Sequence, residues 1–140
     1  EVGHRVQFLK SDLFLSLPTG RKFDLIVSNP PYLSESDMQE IAPEVMKEPR
    51  QALLAGPRGT ECIERLAKEA ADFLKPDGRM FIEIGAGQGR EAGDLFALHG
   101  WDYRIFKDYN GLDRVLAARQ GPPEQAAVRG MSKRVAGKKQ

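Results

Sequence analysis

The chain is predicted to fold as an α/β domain with a mainly parallel sheet and an antiparallel closing hairpin. Three observations predict it. Short apolar runs alternate with stretches of helical periodicity between residues 23 and 99, as strand–helix–strand units do. One of them, "FDLIVS" (residues 23–28), reads as a continuous apolar run, which suits a strand covered on both faces. Near the end, "WDYRIFKDY" and "DRVLAAR" straddle Asn110-Gly111, the strongest short hairpin signal.

Taken in order, residues 5–10 ("RVQFLK") alternate apolar and polar side chains and are expected to form a short strand. The 23–28 strand follows. Residues 33–49 carry Pro43 and Pro49 among acids, which predicts a long surface loop with one helical turn. Thr60 suits the N-cap of a helix reaching Leu74, with Ile63, Leu66, Ala67, Ala70 and Phe73 on one stripe. "KPDG" (residues 75–78) predicts a turn. Residues 79–84 ("RMFIEI") read as the next strand and residues 85–89 as a glycine loop. A helix over about residues 90–99 then stops at Gly100. Trp101 is expected to pack the closing hairpin. No internal repeat is present.

Composition sets bounds on function. In 140 residues, 41% are apolar and 29% charged, which is ordinary for a globular chain. No apolar run approaches the length of a membrane span, and the start does not resemble a signal peptide. The lone cysteine, Cys62, forms no internal disulfide and no metal cluster, so no metal and a cytoplasmic setting are expected. Net charge is +1, but five bases after Arg119 face one acid there, leaving 16 bases and 19 acids, a net of −3, up to and including it. A core of that sign does not wrap a phosphate backbone. The chain therefore divides into a main region, 1–119, and a basic tail, 120–140, expected to be disordered, with at most weak contact to nucleic acid.

The 23–28 strand ends in "NPPY": Asn29, Pro30, Pro31 and Tyr32. In an open parallel sheet, ligands bind beyond the carboxyl ends of the strands. Two prolines make a corner with little torsional freedom. Asn29 adds a side-chain carbonyl acceptor and Tyr32 an aromatic face. These parts suit the gripping of a planar –NH2 group. The Asn29 side-chain oxygen accepts one N–H and the Pro30 carbonyl the other, which draws the nitrogen lone pair out of conjugation and aims it at an electrophile. Tyr32 stacks on the plane. Such catalysis is positioning plus stabilisation of charge developing on nitrogen.

"SNPPY" resembles the motif of methyltransferases that use S-adenosylmethionine to modify amide or amino nitrogens. From about residue 5 to residue 119 the chain resembles the carboxyl-terminal half of the HemK/PrmC-type enzymes, which methylate the glutamine amide of the Gly-Gly-Gln loop in peptide chain release factors. "VQFLKSDLF" resembles the family's strand ending in Ser-Asp, "KEPRQALLAGPRGTECI" its segment with Glu48, Pro49, Ala52 and Leu53 in register, and "DYNGLDRVLAAR" its closing hairpin. The resemblance implies a Rossmann-like class I methyltransferase sheet, S-adenosylmethionine as cofactor and a release factor as protein partner. It places Asp12 beside the adenine amino group, Leu13 against the ring, and Asn29, Pro30, Pro31 and Tyr32 at the reacting amide, with Asn29 also beside the cofactor.

The family's cofactor loop, an acid followed by Gly-x-Gly, has no counterpart in the 28 residues before Asn29. On that match the sheet lacks its first two strands, residues 5–10 have no neighbour to pair with, and the chain is expected to be a truncated enzyme, inactive alone and a poor binder of the cofactor. "FIEIGAGQG" imitates the loop, with Asp108 19 residues beyond Gly89, as a circularly permuted enzyme would have it. Asp108 falls in a hairpin bend, however, and in the family this second loop faces the substrate cleft. Glu83, at the strand end, reads as an acid orienting that loop. Two other functions stay open: methylation of an exocyclic amine on DNA or RNA, and a methyltransferase remnant without catalysis.

Overall fold

The computed structural model describes residues 2–121. Strand β1 (Phe23–Ser28), strand β2 (Leu33–Ser34), the single turns α1 (Asp37–Glu40) and α2 (Arg50–Leu53), and strand β3 (Leu54–Gly56) come first. Helix α3 (Glu61–Glu69), strand β4 (Leu74–Glu83), helix α4 (Gly89–Leu98) and the hairpin strands β5 (Trp101–Lys107) and β6 (Asp113–Gln120) complete the order. The main sheet runs β1-β4-β6-β5. β1 pairs parallel to β4, while β6 is antiparallel to both β4 and β5. Three strands thus point one way and only β6 is reversed, as expected of a mainly parallel sheet with an antiparallel hairpin. β2 and β3 form a separate two-stranded parallel ribbon.

Packing follows from side-chain parity. Met80 and Ile82 of β4 and Leu116 and Ala118 of β6 face α3 and α4, which contribute Ile63, Leu66, Ala67, Ala92 and Phe96. Each fully buried aliphatic or aromatic side chain here contributes roughly 1.5–3 kcal/mol. The stripe predicted for α3 is buried as expected, although the α-helix stops at Glu69 and a 3₁₀ turn carries the chain to Asp72. Thr60 stands at its N-cap without capping it. Its buried hydroxyl donates instead to Glu91 Oε1 of α4, at 2.9 Å. The Trp101 indole reaches further than the hairpin: Nε1 donates to the Ala67 carbonyl at 2.7 Å and the ring tilts against Phe96. Gly93 has no room for a side chain because the Tyr103 ring lies against it.

Three expectations need correction. Residues 5–10 are not a strand: a 3₁₀ turn at Gly3–Arg5 leads into irregular, exposed backbone, with Phe8 97% exposed. Alternation alone does not make a strand where no neighbour supplies the ladder. The 23–28 strand is not covered on both faces, since Leu25 and Val27 are 53% and 71% exposed. Among the described residues α3 and α4 cover one face, and β1 is an edge strand. The "KPDG" turn does not precede β4 but interrupts it. Between Phe23↔Leu74 and Leu25↔Arg79 β1 advances two residues and β4 five, so the segment loops out of register. Gly78 is required there, because a Cβ would stand 2.8 Å from Leu74 and 3.1 Å from the Phe23 carbonyl.

The glycine loop, α4, its stop at Gly100 with φ 84°, and the hairpin all fall where expected. Of the predicted tail only Gln120, the last residue of β6, and Gly121 lie within the described residues.

Replacing Trp101 by Phe leaves the Ala67 carbonyl without its buried donor. We expect a loss of about 1–3 kcal/mol, seen as a lower urea midpoint at unchanged slope.

Candidate active site

The corner begins where β1 ends. Ser28, the last residue of β1, pairs with Ile82 of β4, so the sheet holds the chain up to the residue before Asn29. Pro30 is buried, Pro31 and Tyr32 are half-buried, and Asn29 is exposed. At the far end Gln88, the residue preceding α4, donates from Nε2 to the Tyr32 carbonyl at 2.9 Å and to the Gly59 carbonyl at 3.1 Å. Its Oε1 accepts the Gly85 N–H at 2.9 Å. Gly59 has φ 84°, and a Cβ on it would lie 2.8 Å from the Tyr32 carbonyl and 3.0 Å from the Ser34 N. Only glycine permits that approach.

Just beyond, Ser34 Oγ donates to Asp37 Oδ2 at 2.6 Å and Ser34 N–H to the same oxygen at 2.8 Å. The Ser34 hydroxyl and N–H hold the Asp37 carboxyl below the usual carboxylate range. β2, sealed by this link, pairs with β3 and brings the end of the 33–56 excursion back beside the corner. In contrast, neither the Asn29 side chain nor the Pro30 carbonyl is engaged in a hydrogen bond among the described residues. The frame is tied on both sides while its two acceptors are left free.

Asp12 and Leu13 lie on a different segment. Arg65 of α3 donates from Nη1 to both Asp12 oxygens, at 2.9 and 3.1 Å, and that hydrogen bond holds the guanidinium proton more firmly than usual. The Asp12 side chain is still 63% exposed, so its carboxylate keeps acceptor capacity. Leu13 is half-buried against the core, with φ 49°. A left-handed leucine costs about 1–2 kcal/mol, and such strain gathers at functional sites. Phe14 beside it stacks on Phe73 with ring centroids 4.8 Å apart, which anchors the segment to the body of the fold. No hydrogen bond joins Asp12 to the corner. Asp12 is fastened to the middle of α3 through Arg65, and Tyr32, through Gln88, shares its clamp with Gly59 just before α3 begins.

Asp108 is spent on the hairpin bend: Oδ1 accepts the N–H groups of Asn110 and Leu112, and Oδ2 pairs with Arg114. These bonds, the one from Leu112 first, lower its pKa. That engagement argues against the permuted reading. Glu83 makes no side-chain hydrogen bond or ion pair among the described residues, and the loop is oriented by Gln88 instead. No group of three His, Cys, Asp or Glu side chains among the described residues could hold a metal, and no described helix is long and apolar enough to cross a membrane.

No family model matches the chain. A release factor glutamine methyltransferase of Aquifex aeolicus is 42% identical over 101 residues, 72% of this chain and 36% of its own length. That of Geobacter sulfurreducens is 39% identical over 121 residues, 85% and 42% of the two. These residues are similar to part of the release factor glutamine methyltransferases. A bifunctional methyltransferase of Rickettsia conorii is also 39% identical over 118 residues, 83% of this chain and 22% of its own. A solved protein-(glutamine-N5) methyltransferase (release factor-specific) from Alicyclobacillus acidocaldarius covers 74% of this chain and 52% of its own, at 30% identity and a TM-score of 0.48. The chain thus spans 36–42% of the two single-function curated relatives.

Two residues that matter to the corner carry no functional signal in the sequence. Gln88 sat in view inside "GAGQG", but attention to the glycines hid the side chain that ties them to Tyr32. Gly59 carried no signal of its own, because its need for a positive φ comes from a contact with residues 27 positions earlier.

The Asp37 carboxyl accepts from Ser34 in the folded chain, so its contribution is present above the unfolded pKa of about 3.9 and lost as pH falls through the depressed folded value. The Ser34 amide shift, followed by NMR, is expected to titrate with a midpoint below that unfolded value.

Proposed function

We propose that these residues form the amide-binding part of a methyltransferase that modifies the side-chain nitrogen of a protein glutamine, in the Gly-Gly-Gln loop of a peptide chain release factor, in the cytoplasm. One observation carries the reading: a proline-stiffened corner, held at both ends, in which the Asn29 side chain and the Pro30 carbonyl make no hydrogen bond among the described residues. The sequence relatives support it, since the proteins they name act on release factor glutamine.

The two acceptors take the two hydrogens of a planar amide. Held this way, the nitrogen leaves conjugation with its carbonyl, and positive charge that develops on it meets fixed oxygen dipoles rather than reorganising water. Pro30 and Pro31 remove torsional freedom that an open loop would have to lose on binding. Tyr32, half-buried and without an aromatic partner among the described residues, offers its ring to the amide plane.

The donor set also fits the adenine end of S-adenosylmethionine. Asp12 offers an exposed carboxylate to an exocyclic amine, and Leu13 an apolar surface to the ring. When bound, that cofactor supplies an electrophilic methyl on a sulfonium. Arg65 directs the Asp12 carboxylate through its two hydrogen bonds.

Incubating the native protein with methyl-labelled cofactor and a release factor is expected to label one glutamine. Asn29→Ala is expected to lower the rate by about 10²–10³-fold with the fold unchanged by circular dichroism. Label found on nucleic acid instead, or an Asn29→Ala protein as fast as the parent, would overturn the reading.

A further inference from the structure

We propose that Gln88 is the positioning residue of the corner: through the Tyr32 carbonyl it sets the direction of the Asn29 and Pro30 acceptors. This rests on the reading of the corner as an amide-gripping site. A glutamine side chain has two N–H donors and a carbonyl acceptor, and here all of these are used. The acceptor takes Gly85 N–H at 2.9 Å, and the donors take the Tyr32 and Gly59 carbonyls at 2.9 and 3.1 Å.

Gln88 is itself fixed. Its N–H donates to the Gly85 carbonyl at 2.9 Å and its carbonyl accepts from Ala92 N–H at 2.9 Å, so its backbone belongs to the start of α4. The corner therefore has a rigid post at either end, Ile82 of β4 before it and Gln88 after it. Between the posts proline fixes two of the φ angles. The torsions left over are those the Tyr32 clamp restrains, and they decide where the Pro30 carbonyl points. Gly59 is tied in by the same amide, so the strap from β3 to α3 is pinned with the corner. The function of Gln88 is thus orientation of groups that touch substrate, without contact of its own.

Gln88→Glu and Gln88→Met separate the parts. Glutamate keeps the acceptor for Gly85 N–H and loses both donors, whereas methionine loses everything at similar volume. By amide exchange on the chain, Gln88→Glu is expected to speed exchange of Leu33 and Ser34 about tenfold while Gly85 stays protected, and Gln88→Met to release all three. In methyl transfer by the native protein, both variants are expected to lower kcat at least tenfold with cofactor Kd within about twofold. Added to Asn29→Ala, Gln88→Glu is expected to cost nothing further, because residues that act as a unit are not additive.

Unchanged exchange at Leu33 and Ser34 in both variants would overturn the clamp. A full additional loss on top of Asn29→Ala would show that Gln88 acts elsewhere and overturn its positioning role. Asn29→Ala without effect, together with faster exchange at Leu33 and Ser34, would instead sink the methyltransferase reading of the corner while the clamp stands.

Discussion

The end of β4 and the residue just before α4 hold the two ends of the Asn-Pro-Pro-Tyr corner. Ile82 pairs with the residue before Asn29, and Gln88, six residues on, reaches the carbonyl of Tyr32. Much else follows from this one arrangement. β1 must run parallel to β4 so that its carboxyl end meets that of β4. α4 must begin at Gly89, since a later start would carry the Gln88 amide away. Gly59 must lack a side chain so that the start of α3 can close over the same carbonyl.

Local chemistry made much of the fold legible. Apolar periodicity marked α3 by Ile63, Leu66, Ala67 and Ala70, and Gly100 and Asn110-Gly111 marked the end of α4 and the hairpin, because these residues act through their own torsions. The corner was legible for the same reason: proline declares its rigidity in the sequence. What could not be read depends on partners distant in the chain. "RVQFLK" alternates as a strand should, yet no neighbouring strand among the described residues supplies it a ladder. "FDLIVS" is apolar enough for two covered faces, and nothing within it reports that the helices lie on one.

The candidate site divides along the same line. Asn29, Pro30, Pro31 and Tyr32 were found as a unit because they are contiguous. Asp12 and Leu13 entered through resemblance, and only coordinates reveal the Arg65 link and the left-handed backbone at Leu13. Gln88 was invisible as a functional residue because its three partners lie in three separate segments. Thr60 is an intermediate case. Its type predicted an N-cap and its position obeys, but the buried hydroxyl finds its partner in Glu91 of α4, since a buried hydroxyl left unpaired costs about 1–3 kcal/mol.

The face of the sheet opposite α3 and α4 presents Leu25, Val27 and Phe106, all more than two-fifths exposed, beside Phe81 and the arginines at 79, 104 and 119. At about 25 cal/mol per Å², shielding those apolar groups from water would contribute several kcal/mol, against a typical domain stability of about 5–15 kcal/mol. The stability of the fold therefore depends in part on how far solvent wets that face. Structure-making salts and excluded osmolytes should firm the sheet, and the edge strand that ends at Asn29 stands to benefit first.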